Sequence, residues 1–312
     1  NNAFGRGALL AVTTADSNCA FGDYALQANT AAANSAFGHR ALYTNTTGIN
    51  LVAVGKNALY ANTTGSSNTA VGNQALDANT TGGNNTTVGN DSLSANTTGD
   101  NNTAVGSDSL GNTSTGHRNT AVGKGALLAN TTGDDNTAFG FAALDAQSTT
   151  SDNSAFGAYA LTKNTTGVRN SGLGRATLEE NTTGNDNTAV GHYALLSNTG
   201  GDSNIAVGSY ALDANTTGQG NTAVGKSALS AATTANYNTA VGYEALDAIT
   251  TSQYNTAVGY DALTALSTGS QNTAVGFACL EDCTTGDYNT AIGIEAGRNL
   301  TTGSSNTIVG RN

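Results

Sequence analysis

A seventeen-residue period runs through the whole chain of 312 residues. The stretch from Asn119 to Asp135, NTAVGKGALLANTTGDD, is one complete unit, and its positions are called places one to seventeen. Place five is Gly in all nineteen copies, place four is always bulky and apolar, and place nine is Leu in every complete copy but the last, which has Gly297. A fixed period of this length is typical of a solenoid, in which each unit covers the apolar face of the next.

The period also predicts the domain organisation. It continues from residue 1 to residue 312 without a linker, so we expect a single repeat domain of eighteen complete coils and a partial one. The chain contains no Met, and it stops at place seven of an unfinished copy. We therefore expect a segment of a longer fibre.

Each unit contains two short runs with β character, at places two to four and at places eight to eleven. Helix is disfavoured because Gly and Asn recur in every helical window and the apolar places do not follow a period near 3.6. Gly at places five and fifteen allows a tight corner. The sequence therefore predicts an all-β fold: a β-solenoid, or parallel β-roll, of 17-residue coils with two short strands per coil.

Strand alternation predicts which side chains enter the core. Neighbouring residues of a strand face opposite ways, so Val122 and Leu127 are expected to point inward. Asn119, Ala121 and Gly123 then form a strip of small residues on the opposite face. Two aliphatic side chains make a small core for a seventeen-residue coil, so we expect the strip to be buried against other copies. The prediction is an obligate homo-oligomer, most simply a trimer.

The motif NTAVG at Asn119 to Gly123, followed by GALL at Gly125 to Leu128, resembles two groups of surface repeats. One is the head repeat of trimeric autotransporter (YadA-like) adhesins, and the other is found in viral and phage tail fibres. The resemblance extends over essentially the whole chain. It implies a left-handed, trimeric parallel β-roll that is extracellular, at the surface of a cell or virion.

Charge and hydropathy exclude several kinds of partner. The formal net charge is -11 and the pI is near 4.4, whereas nucleic acids and anionic membranes bind positive surfaces. No apolar run is long enough for a membrane span, so we expect no membrane insertion. Charged residues make up 11% of the chain and lie mainly at corner places, as expected of a solvated rim.

Candidate catalytic and metal-binding residues do not converge in the sequence. His39, His117 and His192 occupy corners of different coils, so they cannot share a metal ion or a catalytic task. Paired acids such as Glu179 and Glu180 are sequence neighbours, which matches neither a glycosidase pair nor an EF-hand. Ca²⁺ held by corner carboxylates stays open. We predict no enzyme activity, no metal and no cofactor.

Three cysteines are present, and two of them share a coil. Cys279 and Cys283 lie at places eight and twelve, where they form either a disulfide across a bend or two ordinary buried thiols. Cys19 at place two is read as a small apolar substitute for Thr.

The triplet NTT recurs at place twelve and matches the N-glycosylation acceptor. The same place holds Ile249 and Leu266 in other coils, which indicates an inward position. A buried ladder of hydrogen-bonded amides is therefore favoured over glycans, and both readings stay open. The residues are Asn45, Asn62, Asn79, Asn96, Asn130, Asn164, Asn181 and Asn215.

Tyrosines gather near the C-terminal end of the sequence, at the corners that flank one strand. Equivalent places stack one coil apart, so the rings at each place are expected within about 5 Å of each other. They either stiffen this end or form a contact surface for a sugar or a neighbouring protein. The candidate patch contains Tyr237, Tyr243, Tyr254, Tyr260 and Tyr288.

The function predicted from these features is that of a structural or adhesive extracellular fibre or filament shaft without catalysis. The alternative is a binding module that displays a site for a cell-surface glycan or receptor on the solenoid. Ice binding by the threonines of the TTG arm is disfavoured. Thr131 and Thr132 are adjacent and face opposite ways, so they form single files instead of paired ranks.

Overall fold

The computed structural model describes residues 1–311 and divides the chain into two compact units, residues 1–153 and residues 154–312. Over the described residues the chain is all-β, a parallel β-solenoid of about 18 coils at a spacing of about 17 residues. Within each unit, every strand pairs in parallel and in register with the strand one coil away. The predicted fold class is confirmed at this level.

The first unit contains nine strands, numbered β1 to β9. They are Asn2–Phe4, Cys19–Phe21, Asn34–Phe37, Leu51–Val54, Thr69–Val71, Thr86–Val88, Thr103–Val105, Thr120–Val122 and Thr137–Phe139. The described part of the second unit contains ten strands, β10 to β19. They are Ser154–Phe156, Ser171–Leu173, Thr188–Val190, Ile205–Val207, Thr222–Val224, Thr239–Val241, Thr256–Val258, Thr273–Val275, Thr290–Ile292 and Thr307–Val309.

Each described coil contains one strand, so the predicted second strand at places eight to eleven is wrong. The cause is the backbone at place nine, where Leu127 has φ 52°. This left-handed conformation interrupts the pleat of a strand. The part of each coil that follows the strand, places six to seventeen, is called the arm. It still bonds from coil to coil, since the Leu127 N–H donates to the Ala143 carbonyl at 3.0 Å and the Ala129 N–H donates to the Asp145 carbonyl at 3.0 Å.

The predicted facing of the strand is also wrong. Ala121 is fully buried and Val122 is partly exposed on the outer face. Ala126 and Leu127 both enter the core, because the positive φ at place nine removes the alternation of side chains expected there. The interior is shared by the Leu and Ala of places eight and nine and by the middle residue of the strand, which is Ala121 in this coil and Thr87 in another.

This arrangement removes the observation that motivated the predicted oligomer. The sequence predicts that Asn119 and Ala121 lie in a strip between chains, but both are fully buried inside their own coil. One Leu, two Ala and two Asn side chains fill the interior of such a coil, whereas the bulky residues of place four lie outside.

Two glycine places are required for different physical reasons. Gly123 at place five has φ +134°, and a Cβ there would lie 2.3 Å from the Gly140 carbonyl oxygen of the next coil. Gly82 at place fifteen has no unusual φ, but a Cβ there would lie 2.4 Å from the Gly99 carbonyl oxygen of the next coil and 2.6 Å from the Asn79 amide oxygen. Close approach of the next coil's backbone, together with the side chain at place twelve, therefore favours Gly at this second place.

Candidate binding face

The asparagines predicted at place twelve form hydrogen-bonded amide files inside each unit. Asn62 donates from Nδ2 to Asn45 Oδ1 at 2.8 Å and to the Gly65 carbonyl of its own coil at 2.9 Å. The same two bonds recur at Asn79, which contacts Asn62 at 2.8 Å. The structure places all eight predicted residues, Asn45, Asn62, Asn79, Asn96, Asn130, Asn164, Asn181 and Asn215, in the fully buried interior.

The amide file of the second unit ends where place twelve becomes apolar. Asn215 donates to Asn198 Oδ1 at 2.8 Å, but its own Oδ1 is buried without a hydrogen-bond partner. The next coil has Ala232 at this place, which supplies no donor. In the first unit, Asn96 precedes Thr113 and its Oδ1 accepts the Gly99 N–H at 3.1 Å. An interrupted file therefore leaves an acceptor that must find another donor or remain unsatisfied.

A second Asn file, at place one, was missed by the sequence analysis. Asn119 donates from Nδ2 to the Gly133 carbonyl at 2.7 Å, and its Oδ1 accepts the backbone N–H of Asn136 at 3.0 Å. Hydrogen bonds from this row of Asn side chains therefore connect the start of each strand to the arm of its own coil and to the next coil. The available signal was that place one is Asn in every copy except the one with Leu51.

The polar corner at place sixteen has a structural role in addition to solvation. There, a side chain accepts the backbone N–H of place sixteen in the preceding coil. Asp134 Oδ1 accepts the His117 N–H at 2.7 Å, and Asp287 Oδ1 accepts the Ser270 N–H at 2.7 Å. Short side chains with an acceptor oxygen are suited to this bond, which accounts for the frequency of Asp, Asn and Ser at the place.

Exposed ion pairs join the neighbouring corner from coil to coil. Arg118 contacts Asp135 at 2.7 Å and Arg169 contacts Asp186 at 2.6 Å, in each case seventeen residues apart. The hydrogen bond from the arginine holds the pKa of each Asp below its usual range. Pairs this exposed contribute little to stability, so their main consequence is a balanced charge along this corner.

The outer face of the sheet carries two parallel rows of β-branched side chains, one of Thr and one of Val. Place two presents Thr and place four presents Val in β5 to β8 of the first unit and in β14 to β17 of the second. These eight Thr–Val pairs are called the Thr–Val face. Its members in the first unit are Thr69, Val71, Thr86, Val88, Thr103, Val105, Thr120 and Val122.

The hydroxyl groups of the Thr–Val face differ from those of the arm. Thr131 at place thirteen donates its hydroxyl to the Ser148 carbonyl of the next coil at 2.8 Å, and Thr80 donates to the Thr97 carbonyl at 3.0 Å. In the described part of the chain, the hydroxyls of the Thr–Val face have no such partner within the protein. They are therefore available to solvent or to a ligand.

The same outer face is strongly apolar elsewhere in the second unit. A shallow, open depression of about 400 Å³ lies on it, with Phe156, Leu173 and Val190 among its lining residues. The side chain of Leu173 is 54% exposed. The face therefore carries continuous apolar surface that the coils themselves do not cover.

Four of the five predicted tyrosines form two stacked pairs. Tyr237 and Tyr254 at place seventeen have ring centroids 5.4 Å apart, and Tyr243 and Tyr260 at place six are 5.1 Å apart. Tyr288, also at place seventeen, is 62% exposed. Stacking covers ring faces that a sugar would otherwise occupy, so the pairs present mainly ring edges and hydroxyl groups. A hydrogen bond with Glu244 raises the pKa of Tyr243 to about 12.

The two cysteines that share a coil are both buried free thiols, so the structure contains no disulfide between Cys279 and Cys283. Cys279 donates to the Ala291 carbonyl at 3.3 Å. Burial raises the pKa of both thiols, which favours the neutral, unreactive form.

The described residues, 1–311, contain no group of three or more His, Cys, Asp or Glu side chains that could hold a metal ion. They contain no helix of the length and hydropathy needed to cross a membrane.

No protein-family model matches the chain, and no curated protein matches it.

Proposed function

We propose that this chain is the shaft of an extracellular structural or adhesive fibre, whose role is to provide length and stiffness and to display surfaces. The observation that carries the proposal is the repetition of the same hydrogen bonds between successive coils within each unit. A coil such as Asn119 to Asp135 contacts the next one through its strand, its arm and its buried amides.

These bonds give a physical basis for stiffness. Buried hydrogen bonds in a low-dielectric interior resist opening, because an opened amide is left without a partner or must be rehydrated. In a stack where each coil contacts its neighbours alone, stability is distributed along the length and the stack can be extended by adding units. Length is thus gained without a larger core.

The resemblance to adhesin heads and tail fibres also supports the surface location and a homo-oligomer. A trimer with left-handed coils remains the simplest form of this proposal. Native mass and sedimentation of the chain would measure the number of subunits, and cryo-electron microscopy of the assembly would measure the handedness.

Single-molecule stretching of the chain tests the proposed mechanical role. We expect the wild-type protein to resist extension and to open in steps of one or a few coils. Gly123→Ala should weaken the first unit, because its φ is unfavourable for Ala and the new Cβ would meet the next coil. The exposed neighbour Lys124→Ala is the matched control and should behave as wild type. Extension at negligible force by the wild-type protein would contradict the proposal.

A further inference from the structure

We propose that the Thr–Val face binds the surface of ice. Ice is a lattice of water oxygens in fixed rows, so a protein surface binds it by presenting groups in matching rows without charged interruptions. The Thr–Val face has two such rows in each unit, and both rows contain uncharged residues alone.

The geometry follows from the pairing of the strands. Thr86 pairs with Thr103 and Thr103 pairs with Thr120, so the hydroxyls repeat once per coil without a change of register. Strands in a sheet are about 4.8 Å apart, which is close to the repeat of oxygen atoms along one axis of ice. The Val file lies two residues further along each strand, at about 6.6 Å, and provides the second dimension of the grid.

The chemistry of the two files is complementary. Val and Thr have the same branched shape, so both files present methyl groups that order the water in contact with them. Each Thr adds a hydroxyl that can donate and accept one bond within such an ordered layer. Because these hydroxyls have no partner in the protein, contact with ice breaks no internal hydrogen bond.

The proposed ice-binding residues are not the threonines of the TTG arm that the sequence brings to attention. The hydroxyl of Thr131 is already used in a bond to the next coil. Thr132 is exposed, but Thr131 beside it is partly buried and bonded to the next coil. The strand places Thr103 and Val105 on one side of the sheet, since the residue between them points into the core. Paired ranks therefore exist on the strand face and not on the arm.

The test compares two substitutions in one coil of the full chain. Thr103→Arg places a large charged group in the middle of the grid. Thr115→Arg places the same group on the exposed arm of the same coil. Thr103 is partly exposed and Thr115 is exposed, and circular dichroism would verify that both variants fold. We measure thermal hysteresis and the fraction of protein incorporated into a slowly growing ice hemisphere. Wild type and Thr115→Arg should be active and enriched in ice, whereas Thr103→Arg should lose activity several-fold.

Two conservative variants separate shape from hydrogen bonding. Thr103→Val keeps the branched shape and should retain most of the activity, whereas Thr103→Ser keeps the hydroxyl, loses the methyl group and should be weaker. Exclusion of the wild-type protein from ice would overturn the proposal. So would equal losses for the Thr103→Arg and Thr115→Arg variants. Sedimentation identifies the competing occupant: if copies of the chain cover this face, Thr103→Arg would dissociate them without any change in ice binding, and the proposal would fail.

Discussion

Replacing Asn79 by Leu is expected to cost much more stability than replacing Asn215 by Leu. Both residues are fully buried at place twelve, above a Gly at place fifteen. Leu is compatible with the place, since Leu266 occupies it above Gly269 in another coil. The apolar gain and the fit of the new side chain should therefore be similar, and the difference should come from the amides left behind.

The structure gives the magnitude of this difference. Asn79→Leu leaves Asn62 Oδ1 without its donor and one Nδ2 hydrogen of Asn96 without its acceptor. Asn215→Leu leaves Asn198 Oδ1 unpaired, but it also removes the Asn215 oxygen that already lacks a partner. Asn79→Leu therefore adds two unsatisfied buried groups. Asn215→Leu creates one and removes one, so the number of unsatisfied buried groups does not change. At about 1–3 kcal/mol per group, the two variants should differ by about 2–6 kcal/mol.

Amide hydrogen exchange is the suitable assay, because long stacks of coils need not unfold in one step. The exchange rates of the coils next to each substitution report the free energy of local opening. We expect exchange beside residue 79 to accelerate roughly 30-fold or more beyond that beside residue 215, since about 1.4 kcal/mol corresponds to a factor of ten. Equal acceleration at the two sites would refute the reasoning. It would mean that the unsatisfied amides carry little of the cost.

Three further predictions test other parts of the structure. Ala121→Arg should prevent folding of the first unit, because the charge would be buried without a partner, whereas Val122→Arg on the outer face should fold, as circular dichroism would show. Burial, with a smaller contribution from a nearby carboxylate, raises the pKa of Asp213, so its charged form opposes folding as pH rises through that pKa. Asp213→Asn should therefore melt higher than wild type at neutral pH and equally at a pH below the unfolded pKa, and a shift at both would contradict this cause. Changing Tyr243 and Tyr260 together to Ser should leave the melting temperature nearly unchanged but weaken attachment to cells or glycans, measured on arrays. Unchanged attachment would reduce the patch to packing.

Place twelve shows which features of the buried interior can be predicted from the sequence. A place that accepts Ile249 and Leu266 as readily as Asn must face inward, and that inference needs no coordinates. The sequence could not show where the second amide hydrogen is directed. Asn79 donates it to the Gly82 carbonyl, which is also the acceptor for Asn68. This shared acceptor joins the two Asn files, and it depends on how the arm folds back onto the start of the strand.

The sequence by itself determined the period, the all-β class, the corner positions of Gly and the inward place of the NTT asparagines, because each follows from a pattern repeated in one chain. The tertiary structure alone decided which face of the strand enters the core. Alternation requires Ala121 and Val122 to lie on opposite sides of the strand. It is satisfied equally well with Ala121 inside and Val122 outside or with the reverse. In the structure, the positive φ of Leu127 directs its side chain into the coil together with Ala126, and the small residue of the strand faces them while Val122 lies outside. Turning the strand over in this way places Thr and Val together on the outside, where the proposed ice-binding face lies.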